Sequence, residues 1–354
     1  MTATMIHNRV TDIKRRKSAG LRLALISAAA IALLGISTAA DELPLFEVIR
    51  AVDTEMAGIG QRLALSNVSL CDRQEPGLGL VLHTPDQYSR DVRDAAIRHF
   101  RFEGPVGVEA IIPGSAAAAA GVRVDDTLLG VEQKRFDPAD PEAEASTAAL
   151  TSVTRWIMAL PTNRPMVLHM RRDGTDQERI LAPIAICRSR FEVVPGPEFV
   201  ARADGEIVQI GSRFFADYPE WVAAPIAHEL AHNILRHRER LEGKGVNYGL
   251  LSGIGRNVGY FRQTEIEADI LSVSLLANAG FDPKIAVLFW RAFGPAHSAS
   301  IFRSRSHPAW KERVAIIERA IDELGPARPH RPTILAARNQ VLDGNWRVLL
   351  EESH

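Results

Sequence analysis

Apolar and polar residues recur with different periods along the chain, and each change of period marks a new element. The first feature is a continuous apolar run, LRLALISAAAIALLGI, from Leu21 to Ile36. Pro44 to Asn67 follows with apolar residues at helical spacing, and LGLVLHT, Leu78 to Thr84, reads as a strand. From Phe102 to Phe136 the pattern gives a strand, a Pro-Gly turn, a short alanine helix, a glycine and another strand. Ser146 to Leu160 is helical in period, and Pro165 to Ile186 reads as a hairpin turning at Asp173-Gly174. Beyond Cys187, Glu206 to Glu220 gives an alternating strand and a turn, and the chain is helical from Trp221 onward. The last stretch, from Gly325, begins rich in proline and arginine and ends weakly helical.

Composition narrows the class. The 354 residues leave room for two domains and a targeting segment. With 46% hydrophobic and 24% charged residues, a largely disordered chain is excluded. A formal charge of −1 and the lack of a basic run past the N-terminus give no reason to expect a nucleic-acid partner. Lys14 to Lys17 (KRRK) before the apolar run, and the small residues Ser37 to Ala40 after it, have the order of a secretory signal cleaved after Ala39 or Ala40. Kept uncleaved, the same segment would be an N-terminal anchor, the chain's only membrane attachment. Either way the expected setting is exported, in a periplasm or on the outer face of a membrane. The cysteines, Cys71 and Cys187, would meet oxidising conditions there, which favours a disulfide; two buried free thiols are the other reading.

Chemistry concentrates in Ala224 to His237, APIAHELAHNILRH. Residues four apart share a helix face, so His228 and His232 can direct both imidazoles at one ion, with Glu229 alongside as general base. The second helix, starting at Gln263, carries Glu265 and Asp269 at the same spacing. That spacing lets Glu265 reach the metal as a third ligand while Asp269 accepts the remaining ring N–H of a ligating histidine. Glu267 competes with Glu265, but it lies about 200° around the helix, so only one of them faces the metal. His237, five residues past His232, falls off this face and reads as solvated. The expected cofactor is one Zn2+ per chain.

His-Glu-x-x-His followed by Glu-x-x-Ala-Asp resembles the zinc metallopeptidases related to HtpX and the CAAX prenyl endopeptidase, which implies Glu265 as the third ligand and Asp269 as the support of a ligating histidine. SRSHPAWKERVAII, Ser304 to Ile317, resembles a signature found downstream in secreted members. That resemblance implies catalytic roles for His307, near the metal or in its open position, and for Arg313, which would organise the pocket. Val108 to Ser115, the alanine run, Gly121-Val122 and Asp126 to Leu129 resemble a bacterial PDZ domain, with Asp125 and Glu132-Gln133 departing from the usual glycine-bearing turns.

The implied fold is α+β: a mainly helical zincin-like domain with a small edge sheet, and an inserted PDZ-like half-open β-barrel. Its parts would be a leader at 1–40, the start of the peptidase domain at 41–103, the PDZ-like domain at 104–185, the catalytic domain at 186–325 and a tail at 326–354. Substrate would lie against the strand from Glu206 to Phe214, and a PDZ ligand between the strand at Val106 to Ile112 and the helix at Ser146 to Leu160. The function implied is an exported zinc endopeptidase acting on polypeptides, unfolded envelope proteins among them, with the PDZ-like domain recruiting or gating substrates. The reading from another class is a non-catalytic periplasmic binding or chaperone-like protein with a structural or latent zinc site.

Overall fold

The computed structural model describes residues 39–138, 140–246, 257–297 and 308–351. The apolar run Leu21–Ile36, with the signal it was expected to form, and His307 lie outside the described residues. Two large hydrophobic cores, with two small clusters beside them, organise the described residues. The larger is built by helices α6 (Ala223–Ile234), α8 (Asn257–Asn278), α9 (Lys284–His297) and α10 (Trp310–Asp322), with the C-terminal half of α1 (Ala39–Ser66). These pack on a three-stranded sheet in the order β10 (Ala201–Ala203), β11 (Ile207–Gly211), β9 (Arg190–Val194), in which β11 is antiparallel to β10 and parallel to β9.

This sheet corrects the expected substrate edge. The strand within Glu206 to Phe214 is β11, which has a neighbour on each side, and Ser212–Asp217 is already helix α5. The chain turns back tightly just before it. Gly205 sits at φ 97°, and the Asp204 carboxylate accepts from the backbone N–H groups of Glu206 and Ile207. The outer strands are therefore β9 and β10, the latter too short to show a period.

The second core belongs to a sheet ordered β2 (Leu80–His83), β3 (Val106–Ile111), β4 (Thr127–Val131), β6 (Met166–Arg172), β7 (Thr175–Leu181), with β5 (Lys134–Arg135) on β4. Val108, Leu128, Leu168 and Met170 are its buried centre, covered by α3 (Ala116–Ala119) and α4 (Ala148–Met158). The β6–β7 turn is the two-residue Asp173-Gly174, both at positive φ, the geometry of a type I′ hairpin. Asp125 and Glu132, the departures from glycine, hold positive φ of 66° and 53°.

The boundary expected at residue 104 moves toward the N-terminus. β2 pairs antiparallel with β3, from Leu80 opposite Ile111 to His83 opposite Gly107, and Leu78 joins this second core. The pairing is hidden in the sequence because α2 (Arg90–His99) intervenes. It also corrects the expected ligand groove: β3 is paired on both sides, so the strand at that end of the sheet is β2. Cys71 and Cys187 are joined by a disulfide at the foot of a two-strand ribbon, β1 (Gln74–Gly77) with β8 (Ile184–Cys187), which leads from one core to the other. The residues expected to form a tail pack on the body of the protein as far as they are described: Leu335 enters the larger core, and Leu342 packs on Leu241 and Val246.

Candidate metal centre

Helix α6 is buried along nearly its whole length, as its run of alanine, isoleucine and leucine dictates. Pro225 is accommodated in the first turn, where backbone N–H groups lack helical acceptors. At its other end Arg236 adopts the left-handed conformation at φ 54°, and a new short helix, α7 (His237–Glu242), starts in another direction.

Helix α8 lies against α6 and brings Glu265 to the two histidines. His228 Nε2 is 3.1 Å from His232 Nε2 and 3.4 Å from Glu265 Oε2, and His232 Nε2 is 3.5 Å from Glu265 Oε1. A tetrahedral ion with bonds of about 2.0–2.1 Å needs ligand atoms about 3.3 Å apart, so the three side chains fit a metal of zinc's size. Two imidazoles and a carboxylate are also the donor set such an ion takes.

The residues behind the trio fix its geometry. His228 Nδ1 is 3.0 Å from Asp269 Oδ1, which leaves Nε2 turned to the trio. Arg313 is buried, donates from Nε and Nη2 to the two oxygens of Asp269 at 2.7 and 2.6 Å, and has Nη1 3.3 Å from Glu265. Its guanidinium also lies 3.9 Å from the centre of the Trp290 ring. Arg313, expected to be catalytic, thus touches Asp269, Glu265 and His228, its Nη2 3.1 Å from both ring nitrogens of the last. Burial pushes the Glu229 carboxyl up to about 7, against the pull of His228 and Arg313.

His237 contradicts its expected exposure. It is buried, with Nδ1 2.8 Å from His232 Nδ1 and Nε2 2.9 Å from Glu267 Oε2. Extending the 3.6-residue period past Ile234 misplaced it, because the helix ends there. Glu267, on the far side of α8 from Glu265, also accepts from Arg240 and Gln263. A cleft of about 530 Å3 opens over the trio and Glu229. Strand β10 borders it, and Phe199, Trp290, Phe293 and Trp310 give it aromatic walls.

No protein-family model matches the chain. It is similar to the mitochondrial metalloendopeptidase OMA1 of Schizosaccharomyces pombe, 27% identical over 191 residues, covering 46% of this chain and 56% of that protein. It is also similar to the mitochondrial metalloendopeptidase OMA1 of Arabidopsis thaliana, 28% identical over 116 residues, covering 28% of this chain and 24% of that protein. The chain thus spans about half the length of the first relative and about a quarter of the second. The likeness supports a metallopeptidase in general and does not reach the finer expectations of the HtpX or CAAX type and a PDZ insertion. It overturns the expected periplasmic setting, since both relatives are mitochondrial by name. Basic, apolar and small residues in that order mark a targeted N-terminus without fixing the compartment, and the envelope role expected with export gains no support. Among the described residues, no helix is long and apolar enough to cross a membrane.

Proposed function

We propose that this protein is a zinc-dependent endopeptidase. The observation that carries the reading is the convergence of His228, His232 and Glu265 within tetrahedral spacing in a cleft that Glu229 also lines. Two relatives named metalloendopeptidases support it. When bound, a zinc ion supplies a Lewis acid that lowers the pKa of water toward about 7 and polarises a carbonyl. The chain's own residues do the rest. Glu229 takes a proton from the attacking water on its carboxylate and returns it to the leaving amine. Asp269, held by Arg313, keeps His228 in the tautomer that frees Nε2. An extended substrate adds as a strand along β10, past Ala201 to Ala203, with its side chains against the aromatic walls.

The second unit is read as a PDZ-like module that recruits a peptide beside β2, with α4 as the other wall. Leu80 and Leu82 of β2 and Val153 and Ile157 of α4 pack in one core, which supports that placement. The non-catalytic reading draws less support, because a purely structural site has no use for Glu229.

Metal analysis and casein cleavage test the proposal together. Wild type and Glu229→Gln are each expected to hold about one zinc per chain, with cleavage at least ~10²-fold slower in the variant. A wild-type chain that takes up no metal overturns the reading. Zinc in both proteins with cleavage by neither shifts it to the non-catalytic alternative.

A further inference from the structure

We infer that His237 is a positioning residue of the metal centre: with Glu267 behind it, it fixes the tautomer of His232 and so sets the affinity of the site for its metal. This rests on the metal-site reading above and extends it to residues outside the ligand set.

The direction of the hydrogen bonds follows from the end of the chain of contacts. Glu267 is buried and accepts from Arg240 Nη1 at 2.5 Å and Nη2 at 3.2 Å and from Gln263 at 2.9 Å, so it is present as a carboxylate, an acceptor only. The ring nitrogen facing it, His237 Nε2 at 2.9 Å, must then donate. In a neutral imidazole the other nitrogen carries a lone pair, so His237 Nδ1 accepts. Its partner at 2.8 Å is His232 Nδ1, which must carry the proton. The lone pair of His232 is left on Nε2, the atom that faces His228 and Glu265. With His237 neutral, reversing any one of these bonds would put two donors or two lone pairs against each other.

His228 meets its carboxylate directly, Nδ1 to Asp269, with Arg313 Nη2 3.1 Å from both ring nitrogens. His232 needs two links because Glu267 lies on the opposite side of α8. The left-handed turn at Arg236 is what swings His237 into the gap between them. Without an acceptor at that place, the neutral His232 ring is free to hold its proton on Nε2, where it excludes a metal.

The test uses zinc itself and the whole chain. Zinc affinity, by competition with a chromophoric chelator, is expected to fall 10–100-fold in His237→Leu, which keeps bulk but no acceptor. His237→Asn, whose carbonyl oxygen can stand near the Nδ1 position, should stay within about threefold of wild type. Thermal melting of the metal-free proteins separates this from loss of fold. Equal affinity in wild type and both variants overturns the proposal, and so does an equal loss in both. Nitrogen-15 NMR of labelled histidine in wild type decides independently of how the variants fold. Protonation at His232 Nδ1 and His237 Nε2 is expected, and the opposite tautomer at His237 refutes the inference. Failure of the wild type to bind zinc would instead refute the metal-site reading.

Discussion

Arg313 shows what the site asks of a single residue. It is a buried cation between two carboxylates and a tryptophan face, and each of those groups relies on it. Removing one partner of a buried ion pair leaves the other charge without compensation, at a cost of about 3–5 kcal/mol. Arg313→Ala is therefore expected to lose stability on that scale in the metal-free protein. The loss should be smaller in zinc, because the ion returns positive charge beside Glu265. Urea unfolding of both proteins in chelator and in zinc measures this, and a loss equal in the two conditions would show that Arg313 does not share its carboxylates with a metal. Arg313→Lys keeps the charge but lacks the two-pronged geometry, so it should fall between. At this scale the sequence was informative where helix geometry is regular. His228 with His232, and Glu265 with Asp269, are four apart on unbroken helices, so spacing alone put each pair on one face. His237 was misread because one residue, Arg236, leaves the helical conformation.

Elements were legible where their partners are local in sequence. The β6–β7 hairpin announces itself through alternation and Asp173-Gly174, and α6 through its apolar stripe. The partner of β3 could not be read, because β2 is separated from it by a whole helix, and β10 has only three residues. The ribbon of β1 and β8 joins segments farther apart still, and its foot is closed by the Cys71–Cys187 disulfide, 116 residues apart in sequence. A cross-link of that span restricts the unfolded chain by about 5 kcal/mol on a chain-entropy account, with native cases typically giving about 2–5 kcal/mol. The double variant Cys71→Ser, Cys187→Ser is expected to lose stability in that range in denaturant unfolding, with zinc stoichiometry unchanged. A loss below ~1 kcal/mol would mean that strand pairing and the Arg236 and Arg338 contacts to Asp72 hold the ribbon unaided.

Across the whole molecule, the two units meet through a small aromatic cluster, in which Phe46 of α1 packs on Ala96 of α2 and on Phe100 just past its end, and through polar and ionisable contacts. Arg50 of α1 pairs with Asp125 at 2.8 Å, Arg190 of β9 donates to Thr154 of α4, and Arg155 faces Glu206. Carboxyls are buried at this junction as well. Burial pushes Glu75, in the ribbon, up to about 7 from an ordinary 4.5, against the lowering effect of Arg188 and the Ser189 backbone, and its Oε2 has no hydrogen-bond partner. Asp53 of α1 and Glu109 of β3 are raised too, each mainly by burial and then by a neighbouring carboxylate. A carboxyl with a folded pKa above its unfolded one gives stability that is complete below about 4.5 and is lost as pH rises through about 7. At about 1.4 kcal/mol per pH unit, the Glu75 interval corresponds to roughly 3 kcal/mol. Glu75→Gln removes the ionisation while keeping the shape. Relative to wild type, the variant should therefore gain stability on that order between pH 5 and pH 8, while Asp53 and Glu109 contribute equally to both proteins and cancel. The measurement is denaturant unfolding of the two proteins at each pH. A stability difference that stays constant between pH 5 and pH 8 would mean that Glu75 is already ionised in the folded chain, held by Arg188, and that the ribbon is indifferent to pH.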